Sequence, residues 1–156
     1  MIVYRITKKE HAALDGMGGL YGPGRWHKKG FPVIYTSEHA SLAAWEKIVH
    51  VTSFENIPNN LLLVQIEIPE GIEIQTVPQN ILVKGWDSFP FSNETVNYGT
   101  SFLLKKEYLA LKVPSVIIPN EFNIILNPLN PGINDCKVIG SIPFLFDKRV
   151  SKFSTY

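Results

Sequence analysis

The sequence predicts a single α+β domain, residues 1–156, with a β-rich C-terminal half. Three observations carry that prediction. A chain of 156 residues is of one-domain size and long enough to bury a core of its own. Hydrophobic residues at 45% against charged residues at 19% describe a folded globular protein, neither a disordered tail nor a charged arm. Short β-type apolar runs alternate with helical patterns, and no linker, internal repeat or low-complexity segment divides them.

The opening "IVYRI" is a short β-type run, and "KKEHAALDG" after it has room for one or two helical turns. Five glycines and a proline lie between Gly16 and Gly24, which makes that stretch a loop able to turn sharply and approach other groups closely. "FPVIYTS" reads as a buried strand bounded by Gly30 and a helix cap. Ser37 is the expected N-cap of a helix from about Glu38 to Val51, with Leu42, Trp45 and Val49 facing the core. At about 100° per residue, Glu46 falls on the flank of that stripe.

"NNLLLVQIEIPEG" is the next strand, Gln65 and Glu67 alternating with Val64, Ile66 and Ile68. From Gly71 to Thr100 the periodicity weakens and the segment reads as mostly loop, with one helical turn around Asn80 to Lys84. "SFLLKKEYLAL" reads as helix, and "VPSVIIP", "FNIILNP" and "CKVIGSIPFLF" as three strands punctuated by prolines.

A formal charge of +1 gives no electrostatic reason to bind nucleic acid or an anionic membrane, and the aromatics are not interleaved with basic residues. Lys28-Lys29 and Lys105-Lys106 are short basic pairs of the kind that solvate a turn or a helix face. Cys136 is the one cysteine, so no internal disulfide or thiolate metal cluster is available and a reducing compartment fits. Charges interrupt the N-terminal stretch where a signal peptide is apolar, and no run approaches the roughly 20 apolar residues of a membrane span. A cytoplasmic location is expected.

The glycine loop does not match a phosphate cradle, because Gly24 leads into Arg-Trp-His-Lys-Lys rather than Gly-Lys-Ser/Thr, and the dinucleotide fingerprint spacing is missing. Arg25 between Gly24 and Trp26 is open to two readings: a bidentate clamp on phosphate or carboxylate, or a surface guanidinium stacked on Trp26. Arg5 inside "VYRI" either points to solvent or reaches inward to an anion, and alternation alone favours solvent. Glu46 among apolar helix residues needs a cation, hydrogen bonds or a ligand to offset the loss of water. Such a carboxylate suits an oxocarbenium-like centre or a ribose hydroxyl; a snorkelling or ion-paired structural glutamate is the alternative.

Ser115 lacks a Gly-x-Ser-x-Gly elbow, which argues against a serine hydrolase and for a small core or edge residue with a satisfied hydroxyl. His11, His27, His39 and His50 lack the spacing of a zinc site, so no metal is expected.

Taken together, "VYRI", "GRWHKKGFPVIYTSEHASLAAWEKIVH", "LKVPSVIIP", "NIILNP" and "PFLFDKR" resemble the RES domain family, named for its arginine, glutamate and serine. The resemblance spans Tyr4 to Arg149. It implies a fold similar to that of ADP-ribosyltransferases and the activity of a toxin–antitoxin toxin that consumes NAD+, by hydrolysis or phosphorolysis of the nicotinamide–ribose bond. Transfer of ADP-ribose to a specific protein is the alternative activity, and a non-catalytic nucleotide- or partner-binding module the alternative from another class. On this resemblance Arg25, Glu46 and Ser115 are the catalytic residues, and Arg5, Gly24, Trp26 and Tyr35 bind NAD+. It further implies that NAD+ is substrate rather than cofactor, with inorganic phosphate as a possible co-substrate, and that a cognate Xre-type antitoxin covers the cleft, with the oligomer formed between the two left open. Two positions depart from the family pattern: His27 stands where asparagine is common after the Gly-Arg-Trp turn, and Phe102 where tryptophan is common.

Overall fold

In a computed structural model, residues 1–51 and 53–153 are described; the expected domain end at Tyr156 lies outside them. The strands are β1 (Ile2–Lys8), β2 (Ile34–Ser37), β3 (Leu61–Glu67), β4 (Ile74–Thr76), β5 (Ala110–Pro114), β6 (Phe122–Leu126) and β7 (Lys137–Pro143). Helix α1 (Ala40–Ile48) follows β2 and helix α2 (Asn93–Lys105) precedes β5. All seven strands join one sheet of order β4-β5-β6-β2-β1-β3-β7, antiparallel throughout except for the β4–β5 pair. The α+β class expected from the sequence is the class observed.

Strand alternation and register sort the side chains onto two faces. Tyr4 is opposite Ser37, which is opposite Asn123, and Tyr35 is opposite Ile125, so these residues and Ile6 share one face. Both helices pack there: α1 through Ala43 against Ile6 and Leu61, α2 through Phe102 and Leu103 against Leu111 and Ile125. The opposite face buries Val3, Ile34, Val64, Ile66, Ile124 and Leu126 beneath Leu14, Ile133 and Cys136. Between β1 and β2 the ladder is confined to the Tyr4–Ser37 position, although the strands have 7 and 4 residues. A sheet whose inner ladder stops early leaves space between two strands, and the main cleft opens there.

Three boundaries differ from the sequence expectation. Helix α1 begins after His39, in extended geometry, and not after Ser37, which ends β2 and gives its hydroxyl to Asn123 at 2.6 Å. The buried face of α1 is Leu42 and Ala43, while Trp45 and Val49 are 49% and 52% exposed. Glu46 and Lys47 follow Ala43 and Leu42 by three to five positions, so they continue the face that turns toward the sheet.

Helix α2 starts eight residues before the expected Ser101, and "EYLAL" is not helical: Ala110 and Leu111 open β5. The early turns, "NETVNYGT", are poor in strong helix formers. Tertiary packing selects the helix instead. A Cβ on Gly99 would lie 2.0 Å from the Trp26 carbonyl oxygen, so only glycine lets α2 approach that turn, and Thr100 Oγ1 accepts from the Lys28 amide at 3.0 Å. Lys106 in left-handed geometry (φ 57°) ends the helix, and Asn127 Nδ2 donates to the Leu103 carbonyl at 3.0 Å. The short strand β4, inside the segment read as loop, forms by parallel pairing with β5, which no local periodicity announces.

Candidate active site

The cleft has a volume of about 260 Å³ and is lined by Tyr4 to Thr7 of β1, Tyr35 to Ser37 of β2, Asn123 of β6, and Ala43, Glu46, Lys47 and His50 on and just after α1. It brings Arg5, Tyr35 and Glu46 to one wall, with Ser115 directly behind Glu46.

Glu46 is held by neutral donors. Ser115 Oγ donates to Glu46 Oε1 at 3.1 Å, and Asn123 Nδ2 donates to the same oxygen at 2.5 Å. Ser115, just beyond the end of β5 and 8% exposed, also accepts from the Ile117 and Ile118 amides at 3.0 and 3.1 Å. Its hydroxyl therefore shapes the turn after β5 and holds the carboxylate in the same geometry. Its oxygen is occupied by two amides and its proton is directed at Glu46, an arrangement that suits a positioning hydroxyl.

Arg5 does not point to solvent. It lines the cleft, burial pulls its pKa below the ordinary arginine value with Asp15 pulling back, and its Nη1 is buried with no protein hydrogen bond. A buried guanidinium donor without an acceptor costs free energy unless a ligand or water supplies one. Lys47 shares that wall. Burial lowers its pKa first, and the nearby charges of Lys8 and Arg5 lower it further. The α1 end of the cleft is thus a cation pair suited to phosphate oxygens.

Arg25 packs against aromatic rings, but not against the Trp26 that its sequence offered. Its Nη1 donates to the carbonyls of Trp86 at 2.6 Å and Ser88 at 3.0 Å, and its guanidinium carbon lies 6.0 Å from the Trp86 ring centre and 5.1 Å from that of Phe91. The stacking partner is Trp86, not Trp26. Burial lowers the Arg25 pKa, opposed by Asp87 and then Glu46, so its charge is within electrostatic reach of the carboxylate although it does not line the cleft. The described bonds use Nη1 alone, leaving Nη2 and Nε to meet an anion.

Tyr35 joins the Gly-Arg-Trp turn to the cleft. Its hydroxyl accepts from the Trp26 amide at 3.1 Å and lies 2.9 Å from His27 Nδ1. A hydroxyl with two lone pairs and one proton can accept from Trp26 and still pair with either tautomer of His27. Burial lowers the His27 pKa, the backbone of Gly19 and Gly22 opposing it, and burial raises that of Tyr35. Gly24 belongs to this unit by shape: a Cβ there would lie 2.7 Å from Tyr35 Oη and 2.8 Å from His27 Nδ1. Trp26 itself is 3% exposed in the core with Phe102 and Leu103, outside the cleft wall; its contribution is the backbone amide that holds Tyr35.

Sequence reasoning missed Asn123, Lys47 and Ser37. Asn123 carried a signal, a polar residue two positions before buried Ile125 within "FNIIL", and Lys47 lies four residues after buried Ala43. Among the described residues no group of His, Cys, Asp or Glu is arranged to hold a metal ion, and no helix is long and apolar enough to cross a membrane.

The chain matches the RES domain model over residues 2–147. It is 33% identical over 141 residues to the Prs ADP-ribosylating toxin of Sphingobium sp. (strain YBL2), covering 88% of this chain and 86% of that one. It is 35% identical over 139 residues to toxin Res of Pseudomonas putida (strain KT2440), covering 88% and 92%. The crystal structure of the M. tuberculosis MbcT–MbcA toxin–antitoxin complex contains a similar fold, with a TM-score of 0.70 at 18% identity over 92% of this chain and 83% of that chain. A family match over nearly the full length, with Arg25, Glu46 and Ser115 each tied to the region around one cleft, makes this chain a member of the RES domain family.

Proposed function

We propose that this chain is the toxin of a toxin–antitoxin pair and that it breaks the nicotinamide–ribose bond of NAD+, passing the ADP-ribosyl group to water or inorganic phosphate. The observation that carries this reading is a single carboxylate, Glu46, held by two neutral donors in an open cleft that Arg5 and Lys47 also line.

In that reaction nicotinamide leaves with the electron pair of the C–N bond, and positive charge develops on the ribose. Glu46 stabilises that charge or orients a ribose hydroxyl. Arg5 and Lys47 hold the pyrophosphate, with the free edge of Arg25 above it, and Tyr35 walls the nicotinamide side. Attack by water gives ADP-ribose and a proton; attack by phosphate gives the ADP-ribose phosphate ester. NAD+ is thus a substrate, and no metal is required.

One observation favours a second reading, transfer of ADP-ribose to a protein: a relative 33% identical over 88% of this chain is a Prs ADP-ribosylating toxin. The likeness to a toxin solved with its antitoxin supports a partner protein that inhibits this chain, and we assign that role to an Xre-type antitoxin acting in the cytoplasm.

Purified protein incubated with NAD+, with and without phosphate, separates these readings. Free ADP-ribose marks hydrolysis, a phosphate-dependent product marks phosphorolysis, and label fixed on one extract protein marks transfer. Glu46→Gln abolishes all three. Undiminished NAD+ loss in that variant would remove Glu46 from the mechanism, and NAD+ binding without turnover under every condition would leave only a binding module.

A further inference from the structure

We infer that Asn123 is a positioning residue that fixes the rotamer of Glu46, so that Oε1 is committed to the protein and Oε2 is the oxygen presented to substrate. The inference rests on the proposed role of Glu46 and goes beyond it by saying which atom acts and what holds it.

Glu46 as a carboxylate has acceptors only, so the Asn123 amide must face it with Nδ2, which fixes the amide's orientation. Oδ1 then faces Ser37 Oγ, at 2.6 Å, and takes its proton. Ser37 is 2% exposed and sits opposite Asn123 in the β2–β6 register, so this contact is braced by the ladder itself. The relay runs Ser37 to Asn123 to Glu46, one hydrogen bond per step, from the centre of the sheet to the cleft.

Both donors converge on one oxygen. Ser115 approaches Oε1 from the turn after β5 and Asn123 from β6, and among the described residues no bond is made to Oε2. Two such donors oppose rotation of the carboxylate. A cation stabilised from one side needs that orientation set before the bond breaks, because reorganisation during the reaction adds to the barrier.

The test reads the Glu46 side chain directly. NMR scalar couplings that report its χ angles are measured on the full chain, as wild type and Asn123→Ala, with Ser37→Ala as a milder variant that leaves the Asn123–Glu46 bond in place. Asn123→Ala is expected to average the Glu46 rotamer that the wild type holds fixed, and Ser37→Ala to do so less. In NAD+ turnover, Asn123→Ala lowers kcat by roughly 10- to 100-fold with KM nearly unchanged, and Asn123→Asp, which sets a second carboxyl against Glu46, lowers it further.

A single fixed Glu46 rotamer in folded Asn123→Ala protein overturns the inference, as does a change confined to KM. If Glu46→Gln retains activity while Asn123→Ala still frees the Glu46 rotamer, the proposed reaction fails and the positioning of Glu46 by Asn123 survives. The two failures are therefore distinguishable.

Discussion

Replacing Ser115 by alanine removes three hydrogen bonds at once, which makes it the sharpest single probe of this site. The hydroxyl accepts from two amides, Ile117 and Ile118, and donates to Glu46. An amide left without an acceptor costs about 1–3 kcal/mol when buried, and these two are partly exposed, so the lower end applies to each. The expected loss of stability is about 2 kcal/mol, read as a lowered urea midpoint at unchanged slope. Loss of one of two donors to a charged oxygen is worth about 1.5 kcal/mol or somewhat more, roughly a 10-fold fall in kcat, because Asn123 still holds Oε1. Urea unfolding and NAD+ turnover on the same preparation separate the two effects. A variant with an unchanged midpoint would show that water replaces the hydroxyl at both amides. Activity lost by many powers of ten at full stability would show that Ser115 does chemistry itself, and either result would refute its role as a positioning group.

Further outcomes follow from the turn that carries Arg25. Gly24→Ala places a methyl 2.7 Å from Tyr35 Oη, so the hydroxyl must leave the Trp26 amide or His27; a loss of about 2 kcal/mol in thermal unfolding is expected, with raised KM for NAD+ because Tyr35 moves. His27 carries a pKa lowered by burial, so the unfolded chain binds the proton more readily than the native one. Stability from this residue is complete above the ordinary histidine value of about 6.5 and is lost as pH falls below it toward the depressed native value. His27→Asn should flatten that part of the melting-temperature profile, and an identical acid slope in both proteins would assign it to other groups. Arg25→Lys keeps a charge but lacks the planar guanidinium that packs on Trp86 and Phe91 while its Nη1 donates to the carbonyls of Trp86 and Ser88, so it is expected to loosen the 86–91 segment, read by faster amide exchange there, and to raise KM more than it lowers kcat.

The order of the elements was largely legible from the amino-acid sequence, because local chemistry marks the strands: Val64 to Glu67 alternate in burial, and "FNIIL" ends in the compact apolar run of a strand buried on both faces. The RES motifs marked Arg25, Glu46 and Ser115 before any contact was known. Local pattern also made Glu46 suspicious, although for an imperfect reason: the helix buries Leu42 and Ala43 rather than Trp45 and Val49, and Glu46 faces the sheet because it continues that true face. The helical phase was off by about a residue, which periodicity over nine residues is too short to correct.

Tertiary structure alone decided the rest. Helix α2 begins within a poor helix-forming segment because Gly99 lets it close on the Trp26 carbonyl, and β4 exists because β5 is beside it. Asn123 and Ser115 converge on one oxygen of Glu46 from positions 77 and 69 residues away, a meeting that the register of β2 on β6 and the turn after β5 create. Arg5 illustrates the division most plainly. Alternation along a strand fixes which face a residue takes but not whether that face is water, and only the tertiary structure leaves the first arginine of the chain with a buried Nη1 that has no protein hydrogen bond.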